Sequence, residues 1–347
     1  MRDGGFMDAH TKEDLPSRTW ILVRRPQGAV STDDFRLDRV PMPRADARQI
    51  VVRNRLLSCD PTQLGWMTRD TYVPAVPLGQ VMRAFAAGEV VESRHPNFQV
   101  GEHVQGLLGW QDYAQIDPAQ VPFLLRIPEG VPLETGLGLL GLTGLTAYFG
   151  LTEVGRAQAG ETVLVSGAAG ATGQVVGQIA KLLGCRVVGI AGGPEKCRRL
   201  VDEFGFDAAI DYKNDNLMTR LRKDCPQGVD VFFDNVGGDT LDAALLALAK
   251  RGRIVLCGAI SIYTQSGPVP GPRNYLRLLT QRGRMEGFLT SDYLPRAPEA
   301  IAQLADWWRA GKLKQRVDII EGFENAPTAL ARLFTGDNQG KQLVRIY

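Results

Sequence analysis

The chain has 347 residues and 44% hydrophobic content, enough for two domains that each bury a core. Its 40 basic and 38 acidic residues nearly cancel, to a formal +2, so composition gives no reason to expect nucleic acid or a membrane surface as partner. Five scattered cysteines, Cys59, Cys185, Cys197, Cys225 and Cys257, make no C-x-x-C pair, which argues against a zinc cluster or disulfide framework and for a reducing, cytoplasmic setting.

Residues 1–17 mix charges with glycines, lack the apolar stretch of a signal peptide, and read as a flexible extension. From Arg18 to Pro128 come short apolar runs at 19–24, 50–58, 88–92, 103–107 and 111–116, with turn residues between them. That rhythm predicts a mainly antiparallel barrel or sandwich. The most apolar stretch, 136–151, is too short to cross a bilayer and predicts a buried helix.

The pattern then changes. Strands are expected at 162–166, 186–190, 208–211, 229–234 and 253–257. Helices are expected between them at 172–183, 194–204, 216–223 and 239–250. Strands alternating with helices predict a parallel, doubly wound α/β sheet. A helix at 295–310 and a strand-like tail at 342–346 follow, and the tail could rejoin the first part. The domains expected are therefore 18–135 with 312–347, and 136–311.

Strand, turn and helix meet at V-S-G-A-A-G-A-T-G, 165–173. Set against the dinucleotide fingerprint, Ala168 stands for the first glycine, Gly170 for the second and Gly173 for the third. Gly170 lets backbone N–H groups approach a pyrophosphate, and Gly173 lets helix and strand pack closely. After the second strand, where an acid would hold the ribose of NAD, stand Ala191, Gly192 and Gly193, with Lys196 in the next helical turn. Small residues and a lysine suit a 2′-phosphate, and so NADP(H). The three histidines, His10, His95 and His103, and Cys59 form no readable zinc site. Hydride chemistry without a metal favours an already activated acceptor such as an enone or a quinone.

These features resemble the zinc-independent medium-chain dehydrogenases/reductases, in the branch of prostaglandin reductases, leukotriene B4 12-hydroxydehydrogenases, and alkenal and curcumin reductases. The markers are S-C-D-P (58–61), Y-V-P-A-V-P-L-G-Q-V-M-R-A (72–84), G-L-T-A-Y-F-G-L (144–151), the turn above, D-N-V-G-G (234–238), C-G-A-I-S-I-Y (257–263), M-E-G-F (285–288) and G-D-N-Q-G-K (336–341). The resemblance implies a Rossmann domain beside a GroES-like β domain, a homodimer, and NADPH-dependent reduction of a conjugated C=C by hydride transfer to the β-carbon. It implies that Ala171, Thr172, Gly173 and Gln174 meet the pyrophosphate, and that Lys196 and Tyr212 hold the 2′-phosphate. Asn235, the turn Cys257, Gly258, Ala259, Ile260, Ser261 and Tyr263, then Phe288, Leu289, Thr290 and Asn338, would contact the rest of the cofactor.

Tyr263 is the candidate oxyanion donor. Many members have a tyrosine directly after D-P, where this chain has Thr62, so the role would pass to Tyr263 or Tyr72 or the substrate differs. Trp66, Tyr72 and Trp110 are candidate walls of a substrate cleft. Two readings compete with an enone reductase: a quinone reductase of the same superfamily, and a non-catalytic NADPH-binding interaction protein.

Overall fold

The computed structural model describes residues 16–265 and 267–347. The extension expected at the N-terminus lies outside them up to residue 15, and Ser17 already opens a strand. The first part contains β1 (Ser17–Leu22), β2 (Phe35–Val40), β3 (Ile50–Ser58), α1 (Thr62–Thr68), β4 (Ala86–Ser93), β5 (His103–Gly106), β6 (Tyr113–Ile116) and β7 (Leu125–Arg126). β1 and β2 form a ribbon, while β3, buried along most of its length, pairs antiparallel with both β4 and β6.

The apolar stretch after this is not one helix. It divides into α2 (Leu133–Leu137), α3 (Leu142–Phe149) and a π-helical turn over Gly150–Gly155. Gly138 caps the first piece and Gly141, in extended conformation, starts the second. Glycine holds a helix poorly, and two so close together break it here.

The parallel part runs β8 (Thr162–Val165), α4 (Ala171–Leu182), β9 (Arg186–Ala191), α5 (Pro194–Asp202), β10 (Ala208–Asp211), α6 (Leu217–Asp224), β11 (Val229–Asp234), α7 (Gly238–Leu246), β12 (Leu248–Leu256), α8 (Ile260–Tyr263), α9 (Leu276–Gln281) and β13 (Arg284–Gly287). All neighbours in its sheet are parallel, in the order β10-β9-β8-β11-β12-β13. That is the doubly wound order, with the switch between β8 and β11. Helix α5 ends at Asp202 rather than 204 and α10 spans Ala297–Arg309 rather than 295–310, while α7 is shortened most, ending at Leu246 rather than 250. Leu248 pairs with Val229 of β11, so sheet pairing overrides the helix preference of Leu-Ala-Lys.

The tail consists of α10 (Ala297–Arg309), β14 (Val317–Glu321), α11 (Ala326–Thr335) and β15 (Lys341–Arg345). β15 pairs antiparallel with β3 and parallel with β14, so the tail does rejoin the first sheet, ordered β14-β15-β3-β4-β5-β7. One continuous hydrophobic core runs through both sheets, from Leu57, Trp110 and Leu343 to Val165, Val175 and Phe233. Trp66 and Trp110 belong to that core, 3% and 0% exposed, and neither is a cleft wall. Trp66 lies on α1 and Trp110 packs on Phe35 with ring centres 5.1 Å apart; both indole N–H groups are buried without a partner.

Candidate active site

Past Val165 the backbone reverses to start α4. Gly167 sits at φ +57°, in the left-handed region that glycine enters without steric cost. A Cβ on Gly173 would stand 2.4 Å from Gly167 O and 2.7 Å from Ala168 Cα, so turn and helix touch backbone to backbone. Ala168, in the place of the first glycine, is buried and donates its N–H to Ile190 O at 3.0 Å. Gly170 is the N-cap of α4, and no side chain caps this helix. Its first-turn N–H groups and partial positive charge are therefore open to an anion.

Gln174 departs from its expected place. It is fully buried; Nε2 donates to Arg316 O at 3.1 Å and Oε1 accepts the Arg316 N–H at 2.8 Å. Gln178, one turn on, holds Lys314 in the same way, at 2.9 and 2.8 Å. Gln315 reaches back to the Leu139 N–H at 2.5 Å and to Glu134 O at 3.0 Å. The Gln174 side chain thus joins the phosphate helix to the segment entering β14 and is not free for a pyrophosphate.

At the end of β9 the acid of an NAD site is absent. The Tyr212 ring and Lys213 stem lie over Gly192, where a Cβ would come within 2.9 and 3.0 Å of them. The nearby Asp211 is turned into the loop, taking the N–H groups of Gly193 at 2.8 Å and Lys213 at 3.1 Å and the Asn214 amide at 2.7 Å. Burial pushes its carboxyl up, but these bonds together hold it below the ordinary value. Lys196 is half-buried and donates to Gly336 O at 2.7 Å. Burial, then repulsion from Lys213 and Arg199, pulls its ammonium below the ordinary lysine value. Arg199 donates to Gln339 at 3.1 Å, and Asn338 to Gly340 O at 2.8 Å. Helix α5 and the 336–340 loop are therefore brought together.

The C-terminal ends of β8, β11 and β12 share a network that sequence reading missed, centred on Ser166 and Asp234. Buried Asp234 Oδ1 accepts from Ser166 Oγ at 2.8 Å and from the N–H groups of Val236 and Gly237 at 3.0 Å, while Oδ2 has no partner. Burial pushes this carboxyl up. Asn235 donates its N–H to Ser166 Oγ at 2.8 Å and its amide to Ser166 O at 2.7 Å. The turn 257–263 docks on this end: Cys257 and Gly258 donate to Asp234 O, Ile260 to Asn235 O, and Ser261 Oγ to Val236 O at 2.6 Å. Burial pushes the Cys257 thiol up to about 12, which favours its protonated form at neutral pH.

Tyr263 folds back so that its hydroxyl accepts the Ala259 N–H at 3.1 Å; burial raises its pKa above the ordinary tyrosine value. Phe288 packs on Phe233 and Tyr293, and Thr290 Oγ1 lies 2.7 Å from Thr146 Oγ1. Leu289 stands partly exposed beside them.

Exposed Tyr72, after α1, places its hydroxyl 3.2 Å from Thr62 Oγ1. Buried Lys341 bonds Ser58 Oγ at 2.6 Å and Asp60 Oδ1 at 2.5 Å, tying the S-C-D-P loop to the end of G-D-N-Q-G-K. Among the described residues, no three His, Cys, Asp or Glu side chains form a group that could hold a metal ion. No helix of the described residues is long and apolar enough to cross a membrane.

Two sheets with a glycine turn at the strand switch and a tyrosine turn beside it define a two-domain dehydrogenase. A family profile described as the N-terminal domain of oxidoreductase matches residues 18–124, and one described as zinc-binding dehydrogenase matches 171–307. A 2-alkenal reductase (NADP(+)-dependent) of Nicotiana tabacum is 43% identical over 340 residues, covering 96% of this chain and 98% of that protein. The NADPH-dependent curcumin reductase of Escherichia coli is 39% identical over 337 residues, covering 95% and 97%. The crystal structure of CurA from Vibrio vulnificus in complex with NADPH superposes with a TM-score of 0.89 at 38% identity, covering 95% and 99%. The chain belongs to the medium-chain dehydrogenase/reductase superfamily, and is an oxidoreductase of its alkenal, curcumin and prostaglandin reductase branch.

Proposed function

We propose that this protein uses NADPH to reduce the C=C bond of α,β-unsaturated ketones and aldehydes, without zinc. The observation that carries the reading is the convergence, at one end of the parallel sheet, of three features: the uncapped α4 N-terminus, the Lys196 ammonium, and the Tyr263 turn seated on Asp234 and Asn235. When bound, NADPH supplies the hydride for the β-carbon of the substrate.

The chain's own groups do the rest. First-turn N–H groups of α4, at Ala171 and Thr172, receive the pyrophosphate, and Gly170 and Gly173 keep side chains out of its way. Lys196 and Tyr212 receive the 2′-phosphate, since Asp211 is committed to its own loop. Asn235, the 257–263 turn, Phe288 to Thr290 and Asn338 frame the remainder.

Tyr263 is the oxyanion donor. Its oxygen accepts from Ala259, so its own hydrogen is free to donate, and its raised pKa keeps that hydrogen in place at neutral pH. The Thr62–Tyr72 hydroxyl pair, at 3.2 Å, is the candidate for contacts to the substrate.

The homodimer expected from the resemblance has support in β13, an open sheet edge, beside α9, which exposes Leu276 and Leu279. Five free cysteines fit the cytoplasmic setting.

The test is an assay panel of linear enones, enals and quinones with NADPH and with NADH. Enone and enal turnover with NADPH preference supports the reading. Turnover of quinones alone makes it a quinone reductase, and NADPH binding with no oxidation of it by any acceptor makes it a binding protein.

A further inference from the structure

The triplet Arg-Gly-Arg occurs twice in the parallel part, at 251–253 and at 282–284. The pairing of β12 with β13 sets the two copies side by side. Arg253 stands in register with Arg284, and a Cβ on Gly283 would lie 2.9 Å from Gly252 O. Like charges on neighbouring strands repel, so each copy needs a counter-charge from elsewhere. Arg253 has Glu161, whose oxygens it grips at 2.8 and 2.5 Å, and Arg284 has Glu286 at 3.6 Å. Arg251 and Arg282 form no ion pair among the described residues. Both line a groove of about 740 Å³ together with Arg156 and Lys250, which have no ion pair among the described residues either. The two acids of the groove are already engaged, Glu161 by Arg253 and Asp230 by the Thr162 N–H at 2.9 Å. The groove lies where β8, β11 and β13 begin, whereas the glycine turn, Asn235 and the 257–263 turn lie where the parallel strands end. It is therefore separate from the cofactor site.

Three of these arginines sit on backbone that disfavours them. Arg156 (φ +48°), Arg251 (φ +64°) and Arg282 (φ +54°) are in the left-handed region, three of only five such non-glycine residues among those described. Arg156 ends the π-helical turn, Arg282 ends α9, and Arg251 stands where the register of β11 and β12 slips. Glycine takes such corners without steric cost. The side chains of Arg251 and Arg282 make no hydrogen bond among the described residues that would offset theirs. The corner at Arg156 is braced from below: Arg253 donates to Gly155 O at 2.8 Å and to Arg156 O at 3.2 Å, and Arg284 to Val154 O. Backbone strain held in place by its surroundings concentrates where side chains meet ligands.

We propose that this groove binds a phosphate chain, that of a nucleoside di- or triphosphate or of inorganic polyphosphate. Exposed charges attract weakly one at a time and are screened by salt, so a lone phosphate gains little there. Linked phosphates meet Arg156, Lys250, Arg251 and Arg282 at once, and guanidinium forks match phosphate oxygens in pairs.

The experiment titrates tripolyphosphate, ATP and inorganic phosphate calorimetrically into the NADP-loaded protein, whose α4 N-terminus and Lys196 are then occupied. The test variant is Arg251→Gly combined with Arg282→Gly, which the backbone at both corners accepts. The wild type is expected to show one saturable site per chain for tripolyphosphate, weakened by added salt, with inorganic phosphate binding far more weakly. The double variant should lose roughly three- to thirtyfold in tripolyphosphate affinity and keep its NADP affinity. Should it fail to fold, Arg156→Gly combined with Lys250→Gln takes its place with the same expected loss. ATP binding as tightly as tripolyphosphate means that the chain of phosphates alone is recognised, and tighter ATP binding adds a nucleoside contact; either upholds the site. No saturable binding, binding equal for inorganic phosphate, or binding seen only without NADP overturns the proposal. Unchanged affinity in the variant also overturns it, and a changed molecular mass in light scattering would then assign the arginines to the open edge of β13.

Discussion

Lys196→Ala removes the ammonium proposed for the 2′-phosphate, and the size of the effect can be worked from its surroundings. In the structure Nζ already donates to Gly336 O at 2.7 Å, so the phosphate does not meet an idle lysine. A hydrogen bond to a charged group contributes about 1.5–3 kcal/mol, and one between neutral partners about 0.5–1.5 kcal/mol. An ammonium has three donors. If it keeps Gly336 and adds the phosphate, the full figure applies; if it must leave Gly336, only the difference of about 1–1.5 kcal/mol remains. Lys196 is half-buried and crowded by Lys213 and Arg199, and an arriving anion relieves that repulsion, which favours the upper part of the range. The expected loss is about 1–3 kcal/mol, or roughly five- to a hundredfold in NADPH affinity. Isothermal titration with NADPH and NADH reads it directly. NADH, lacking the phosphate, should bind the variant almost as it binds the wild type. Equal weakening of both cofactors would show that Lys196 only braces the 336–340 loop, and would refute the assignment.

Three further outcomes follow from the same geometry. Because the Lys196 ammonium is pulled below its ordinary value of 10.5, it loses its proton earlier than an exposed lysine as pH rises. The NADPH-over-NADH preference should therefore decline in the alkaline range, and Lys196→Arg, which stays charged, should flatten that decline; a flat wild-type profile would count against the site. Tyr263→Phe should lower enone turnover by roughly 10²–10³ if its hydroxyl is the essential donor, and unchanged turnover would remove it from the mechanism. Gln174→Leu and Gln178→Leu should each destabilise the fold on urea unfolding, by on the order of 1–3 kcal/mol for orphaned backbone groups, with similar small effects on NADPH binding. A loss of NADPH affinity confined to Gln174→Leu would restore it as a cofactor ligand.

What was legible in the sequence is what is local along the chain. The bounds of β3, β10 and β11 agree with the expected runs to the residue, because turn residues end each of them. The phosphate turn was legible for the same reason: Gly167 and Gly173 are constrained by neighbours a few residues away. The place of Lys196 in the first turn of α5 was legible because Pro194 follows the strand by two glycines. Other features depend on partners far along the chain. Gln174 meets Arg316, 142 residues on, and no local pattern distinguishes a glutamine facing a pyrophosphate from one facing a distant backbone. Trp66 and Trp110 read equally well as cleft walls or core, and only packing decided between them.

The two halves of the proposed site therefore differ in kind. The cofactor half is built from local backbone geometry that any chain with this turn must reproduce, whatever it reduces. The proposed substrate half draws on side chains of α1 and the Tyr72 loop, which meet through side-chain contacts such as Thr62–Tyr72. Those contacts can change one residue at a time without disturbing the turn. Specificity in this protein is therefore to be sought among side chains such as Thr62 and Tyr72 rather than in the glycine turn.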